Sequence, residues 1–144
     1  RLDELQAAIL RVKSRHLADW NSRRAAIAQR YSAGLEGLPV LTPLTASGNT
    51  HVFHVYAILT SQRDALQQYL SERGIPTIIY YPVPLHLQKV YADLAYQPGD
   101  LPVVEKLARC VLPLPIYPEL TDEQVEYVIA TIRSFPFRAS AGDP

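Results

Sequence analysis

A chain of 144 residues, 48% of them hydrophobic, is long enough for one domain with a real core and too apolar to stay disordered. Its 14 basic and 14 acidic residues cancel, and no basic block exceeds Arg23-Arg24, so no broad positive field invites nucleic acid. One cysteine, Cys110, excludes an internal disulfide framework, and no apolar run approaches the ~18 residues of a membrane-spanning helix.

The flanks of Cys110 (Ala108, Val111, Leu112) read as packing for a buried, chemically idle thiol. Charged residues make up 19%, a mild deficit against the roughly 25% usual in soluble domains, which fits a surface that rests against another domain. The chain starts at Arg1 and contains no methionine, so it reads as part of a longer one. With no signal peptide in view, the expected setting is cytoplasmic.

Leu2, Leu5, Ile9, Val12, His16, Trp20, Ile27, Tyr31 and Leu35 recur mostly at steps of three and four. That period predicts one amphipathic helix over residues 2–36, about 50 Å long, more than a small domain needs to cover its own sheet. Gly34, Gly37 and Pro39 stop it, and residues 38–50 read as a surface loop. Residues 51–59 alternate and predict a strand. A helix follows over 62–73, with Ser61 and Asp64 as a loose capping box and Gly74 as its left-handed terminator. Residues 75–80 predict a second strand, and 86–91 one or two helical turns. Asp100 is the expected cap of a helix that tolerates Pro102 in its first turn. Residues 111–115 predict an edge strand because of Pro113 and Pro115. Thr121 with Gln124 is a cleaner capping box, opening a last helix that buries Val125, Val128, Ile129 and Ile132. The order α–β–α–β–(α)–α–β–α predicts a small α/β fold, a few short strands covered by helices on one face.

Residues 78–91 (IIYYPVPLHLQKVY) stand apart from ordinary packing. Pro82 and Pro84 each fix φ and remove a donor, so the backbone leaves regular structure at Tyr81 and holds Tyr80, Tyr81 and His86 stiffly. Two readings stay open on pattern alone: an aromatic cluster plugging the end of a sheet, or a pocket rim that hydrogen-bonds an anionic or hydroxylated ligand. No glycine-rich phosphate loop and no His-Glu-x-x-His occurs. His51 and His54 are three apart, which on a strand sends them to opposite faces, so no metal site is expected. The nine tyrosines lack basic interleaving, which argues against stacking on nucleic-acid bases.

Three segments carry a resemblance: RLDELQAAIL at residues 1–10, YPVPLHLQ at 81–88 with Tyr91, and LPLPIYPELTDEQV at 112–125. Together they resemble the C-terminal part of the DegT/DnrJ/EryC1/StrS sugar aminotransferases, pyridoxal-phosphate enzymes of fold type I acting on nucleotide-linked keto-sugars. The resemblance implies a long interdomain helix (1–36) and a small C-terminal α/β domain (37–136) with a mostly antiparallel sheet; the Pro, Ser, Gly and Asp content of the end predicts a frayed tail (137–144). It implies an upstream large domain that carries the Schiff-base lysine and the other cofactor contacts, a homodimeric parent, and glutamate as amino donor. Lys13, Lys89 and Lys106 lack the family's Schiff-base context, so no catalytic residue and no bound cofactor are expected in this segment. The implied substrate-side residues are Arg1, for a nucleotide phosphate, and Tyr80, Tyr81 and His86 around the sugar. At Tyr80 related members often carry histidine; the phenol keeps a donor and an aromatic face but loses a proton acceptor that titrates near neutrality. The rival readings are a non-catalytic binding or interaction module, and a lysine-less or dehydratase relative.

Overall fold

The computed structural model describes residues 3–138. Asp3 opens helix α1 (Glu4–Lys13), its carboxylate accepting from the backbone N–H groups of Leu5 and Gln6 at 2.9 and 3.3 Å. One 3-10 turn, Ser14–His16, joins it to α2 (Leu17–Gly34), so the expected single helix is present with a tightened turn at its middle. Only the second half meets the core. Helix α1 buries no residue, whereas α2 buries Ile27, Ala28 and Tyr31.

The sheet has two antiparallel strands, β1 (Tyr56–Leu59) and β2 (Val111–Leu114), paired Tyr56 with Leu114 through Leu59 with Val111. The strand expected over 51–59 is shortened to four residues. Phe53 takes a positive φ of 47°, and its N–H is captured by His51 Nδ1 at 2.9 Å, so the ladder cannot extend back past it. The expected surface loop 38–50 contributes one bridge instead: Leu41 and Leu59 exchange both backbone hydrogen bonds at 2.9 Å. The strand expected over 75–80 is absent. That segment runs beside β2 along a shared cleft, but Pro76, Pro113 and Pro115 have no N–H to build a ladder. Ile75 is nevertheless buried.

Helix α3 (Arg63–Ser71) lies where predicted, without the Ser61–Asp64 box; Asp64 pairs with Arg63 Nε instead, at 2.5 Å. Gly74, at φ 71°, ends it, with the Ile75 N–H bonded back to the Leu70 carbonyl at 3.0 Å. Helix α4 (Pro102–Cys110) has no side-chain cap from Asp100, whose carboxylate accepts from Gln97 N–H at 2.8 Å. Helix α5 (Asp122–Arg133) carries the Thr121–Gln124 capping box in full, and Val125, Val128, Ile129 and Ile132 are buried as expected. Cys110 is half-buried.

The core joins α2, the sheet, α3 and α5 through Ile27, Tyr31, Leu35, Tyr56, Ile58, Leu66, Leu70, Leu112, Val125 and Ile132. Polar clamps lock α2 to α5: Arg23 donates to the Leu120 carbonyl at 2.6 Å and to Asp122 at 2.7 Å, and Arg30 bridges Asp122 and Glu126. Residues 137 and 138 are held rather than frayed. Phe137 packs on the core, and Arg138 exchanges two 3.0 Å hydrogen bonds with the side chain of Gln62. The rest of the predicted tail lies outside the described residues.

Candidate substrate-side site

The backbone from Ile79 onward does what its prolines dictate. It bends at Pro82 and Val83, then closes two 3-10 segments, Leu85–Leu87 and Lys89–Leu94. Leu87 N–H reaches the Pro84 carbonyl at 3.0 Å and Tyr91 N–H the Gln88 carbonyl at 2.9 Å. Tyr80 and Tyr81 stand out from this turn, 58% and 71% exposed. His86 does not: it is 9% exposed, its Nε2 lies 3.2 Å from Glu105 Oε1, and its ring meets Tyr96 edge-on.

Glu105 is the hub of that buried cluster. Besides His86, its carboxylate accepts from Gly99 N–H at 2.8 and 3.0 Å and from Leu101 N–H at 3.4 Å. Gly99 sits at φ 100°, a conformation that a side chain would strain. The Gly99 amide, ahead of His86 and Leu101, holds the Glu105 carboxyl below the usual glutamate range, against the opposing effect of burial.

The expected pocket group is therefore divided. Tyr80 lines a cleft of about 260 Å³ between segment 76–80 and the strand-end run 113–117, together with His54 and Tyr117. Tyr81 and His86 are not among the residues lining that cleft, and Arg1 lies outside the described residues. His54 and Tyr117 join the cleft although no sequence motif marks them as ligand-facing. His54 lies just before β1, in the bend at residues 54 and 55 that follows the positive φ of Phe53, and lines the cleft from there. Two phenols and one imidazole in a half-open cleft can donate to and accept from a hydroxylated or anionic ligand. His54 also borders a second groove, about 500 Å³, with Lys13, Trp20 and Arg24 on the long helix.

Lys13, Lys89 and Lys106 are all exposed, Lys13 on the rim of that second groove. No group of three or more histidine, cysteine or carboxylate side chains that could hold a metal occurs among the described residues. No described helix is long and apolar enough to cross a membrane.

Residues 1–133 match the model of the DegT/DnrJ/EryC1/StrS aminotransferase family. The chain belongs to that family. It is 50% identical over 138 residues to a "Pleiotropic regulatory protein" of Geobacillus stearothermophilus, covering 94% of this chain and 37% of that one. It is 46% identical over 139 residues to the dTDP-3-amino-3,4,6-trideoxy-alpha-D-glucose transaminase of Streptomyces venezuelae, covering 96% and 37%. The crystal structure of S. venezuelae DesV in complex with a ketimine intermediate superposes with a TM-score of 0.92 at 45% identity, covering 97% of this chain and 38% of that one. A further solved relative, 31% identical, holds the cofactor PMP. The chain thus spans 37% of the length of the curated relatives it matches.

Proposed function

We propose that this chain is the substrate-side, C-terminal portion of a pyridoxal-phosphate-dependent aminotransferase that moves an amino group, from glutamate, to a nucleotide-linked keto-sugar. The match of residues 1–133 to the aminotransferase family carries this reading. It is supported by the transaminase name of a 46% identical relative and by the cleft that Tyr80 lines with His54 and Tyr117.

On this reading Lys13, Lys89 and Lys106 lack the family's Schiff-base context, and the Schiff-base lysine belongs to an upstream large domain. When bound there, pyridoxal phosphate supplies an electron sink for proton movement at the amino-bearing carbon. This chain supplies shape and hydrogen bonds around the sugar nucleotide. Tyr80 and Tyr81 offer phenolic donors, Arg1 offers a planar guanidinium to a phosphate, and His86 anchors the turn that presents the tyrosines. The parent is a cytoplasmic homodimer, with residues 1–36 as the interdomain helix, and the 144-residue chain alone is not catalytic.

The test is transamination by the protein at its natural length, with glutamate and keto-sugars linked to dTDP or UDP, read by mass spectrometry of the amino-sugar product. Product formed by the long protein and none by the 144-residue chain is the expected pair of results. No product with either nucleotide series defeats the reading. It would favour the non-catalytic alternative that the regulatory name of the 50% identical relative supports.

A further inference from the structure

The Glu105 cluster lies outside the Tyr80 cleft, yet it touches three separated points of the same stretch of chain. One carboxylate holds His86 Nε2, Gly99 N–H and Leu101 N–H. Those contacts close a loop from the proline-stiffened turn, through the second 3-10 segment, back to the first turn of α4. Tyr96 packs its ring on His86 inside this loop. Apolar burial secures it only weakly: Leu85, Val90 and Leu94 are more than half exposed, and Tyr91 and Tyr96 are 41% and 47% exposed. Glu105 itself is 9% exposed and offers two carboxylate oxygens to three donors.

An ionised carboxylate only accepts hydrogen bonds, so His86 Nε2 carries the proton and donates it toward Glu105. That fixes the imidazole tautomer and commits the ring to the cluster. A buried acceptor bonded by several donors organises its neighbours more strongly than any one of those bonds would, because losing it strands every donor at once.

We infer that Glu105 is a positioning residue. Its carboxylate latches residues 86–101 as one unit and so fixes the anchor from which the Pro82–Pro84 turn presents Tyr80 and Tyr81. The presentation to a sugar nucleotide rests on the function proposed above; the latch does not. His86, on this account, acts on the ligand through the backbone it anchors.

The experiment uses the protein at its natural length, uniformly ¹⁵N labelled so that both the histidine ring and the Gly99 and Leu101 amides are read, with dTDP-glucose and UDP-N-acetylglucosamine as binding probes. The His86 resonances are assigned as those missing from His86→Ala. Glu105→Ala is expected to abolish the hydrogen-bonded Nε2 signature, to speed amide exchange at Gly99 and Leu101 by at least about tenfold, and to weaken the bound probe by about tenfold. Glu105→Gln keeps one acceptor oxygen, and should recover part of the protection and part of the affinity; it also keeps the test alive if the alanine variant fails to fold. Unchanged exchange and an unchanged His86 signature in both variants would overturn the latch. A loosened segment with full probe affinity would overturn the positioning role. A wild-type protein that binds neither probe, while the latch signatures respond as described, upholds the latch and removes the sugar-nucleotide reading instead.

Discussion

Gly34, the last residue of α2, lies against Ile129 of α5 so closely that a β-carbon added to it would stand 2.7 Å from both Cδ1 and Cγ2 of the isoleucine. Two effects oppose each other in Gly34→Ala. Helix propensity favours alanine by about 1 kcal/mol, while overpacking a tight contact costs about 1–3 kcal/mol. Cγ2 is fixed close to the backbone and cannot swing aside, so the clash wins. The expected result is a net loss of up to about 2 kcal/mol in urea unfolding. Adding Ile129→Val removes Cδ1 and should return part of it; a Gly34→Ala protein more stable than wild type would show that the two helices slide apart freely.

Thr121 Oγ1 accepts from Gln124 N–H at 3.2 Å while Gln124 Oε1 accepts from Thr121 N–H at 2.9 Å. Thr121→Ala should cost about 1 kcal/mol, with Thr121→Ser nearly neutral. Equal melting temperatures for Thr121→Ala and wild type would mean that the Arg23 and Arg30 clamps hold the start of α5 by themselves.

Acid should unfold the chain through named carboxylates. Hydrogen bonds from Arg23 and then Arg30 hold the Asp122 carboxyl below the ordinary aspartate value, and the Gly99 amide leads the depression at Glu105. For a depressed folded-state pKa, the unfolded chain takes up protons first as pH falls. This stability is fully present above the ordinary values of 3.8 and 4.5 and is lost as pH drops through the lower folded ones. Asp122→Asn should therefore lower stability at neutral pH and flatten the acid limb, measured by urea midpoints across the acid range.

Alkali should act through the core. Burial pushes the phenols of Tyr31 and Tyr56 above the ordinary tyrosine value of 10.0. With folded values raised, stability is complete below that value and falls as pH rises past it, since only the unfolded chain ionises readily there. Tyr31 Oη also donates to the Pro115 carbonyl at 2.8 Å. Tyr31→Phe should cost about 1 kcal/mol at neutral pH yet move the alkaline transition upward. An unmoved alkaline midpoint would assign that transition to other groups.

Tyr80→His should keep probe affinity, because an imidazole retains the aromatic face and a donor in a cleft already lined by His54 and Tyr117. Tyr80→Ala removes both and should weaken binding by about tenfold. Isothermal titration with dTDP-glucose and UDP-N-acetylglucosamine checks both variants; equal affinity for Tyr80→Ala and wild type would take Tyr80 out of the site.

Features set by a few consecutive residues were legible without coordinates. The three-and-four spacing on α1 and α2, the Thr121–Gln124 box, the left-handed Gly74 and the turns after Pro84 each depend on contacts within four or five positions, so the local chain dictates them. Family membership was legible in the same way, through three short segments in order. Sheet pairing was not. Whether residues 75–80 form a strand depends on a neighbour that can donate N–H groups, and Pro113 and Pro115, met only in space, do not. The fate of His86 was decided the same way: its turn is local, but its partner Glu105 is 19 positions away and arrives only when α4 packs beside that turn. Together with Gly99 and Leu101, His86 faces that carboxylate, because a buried charge must satisfy its hydrogen bonds from whatever donors the fold brings near.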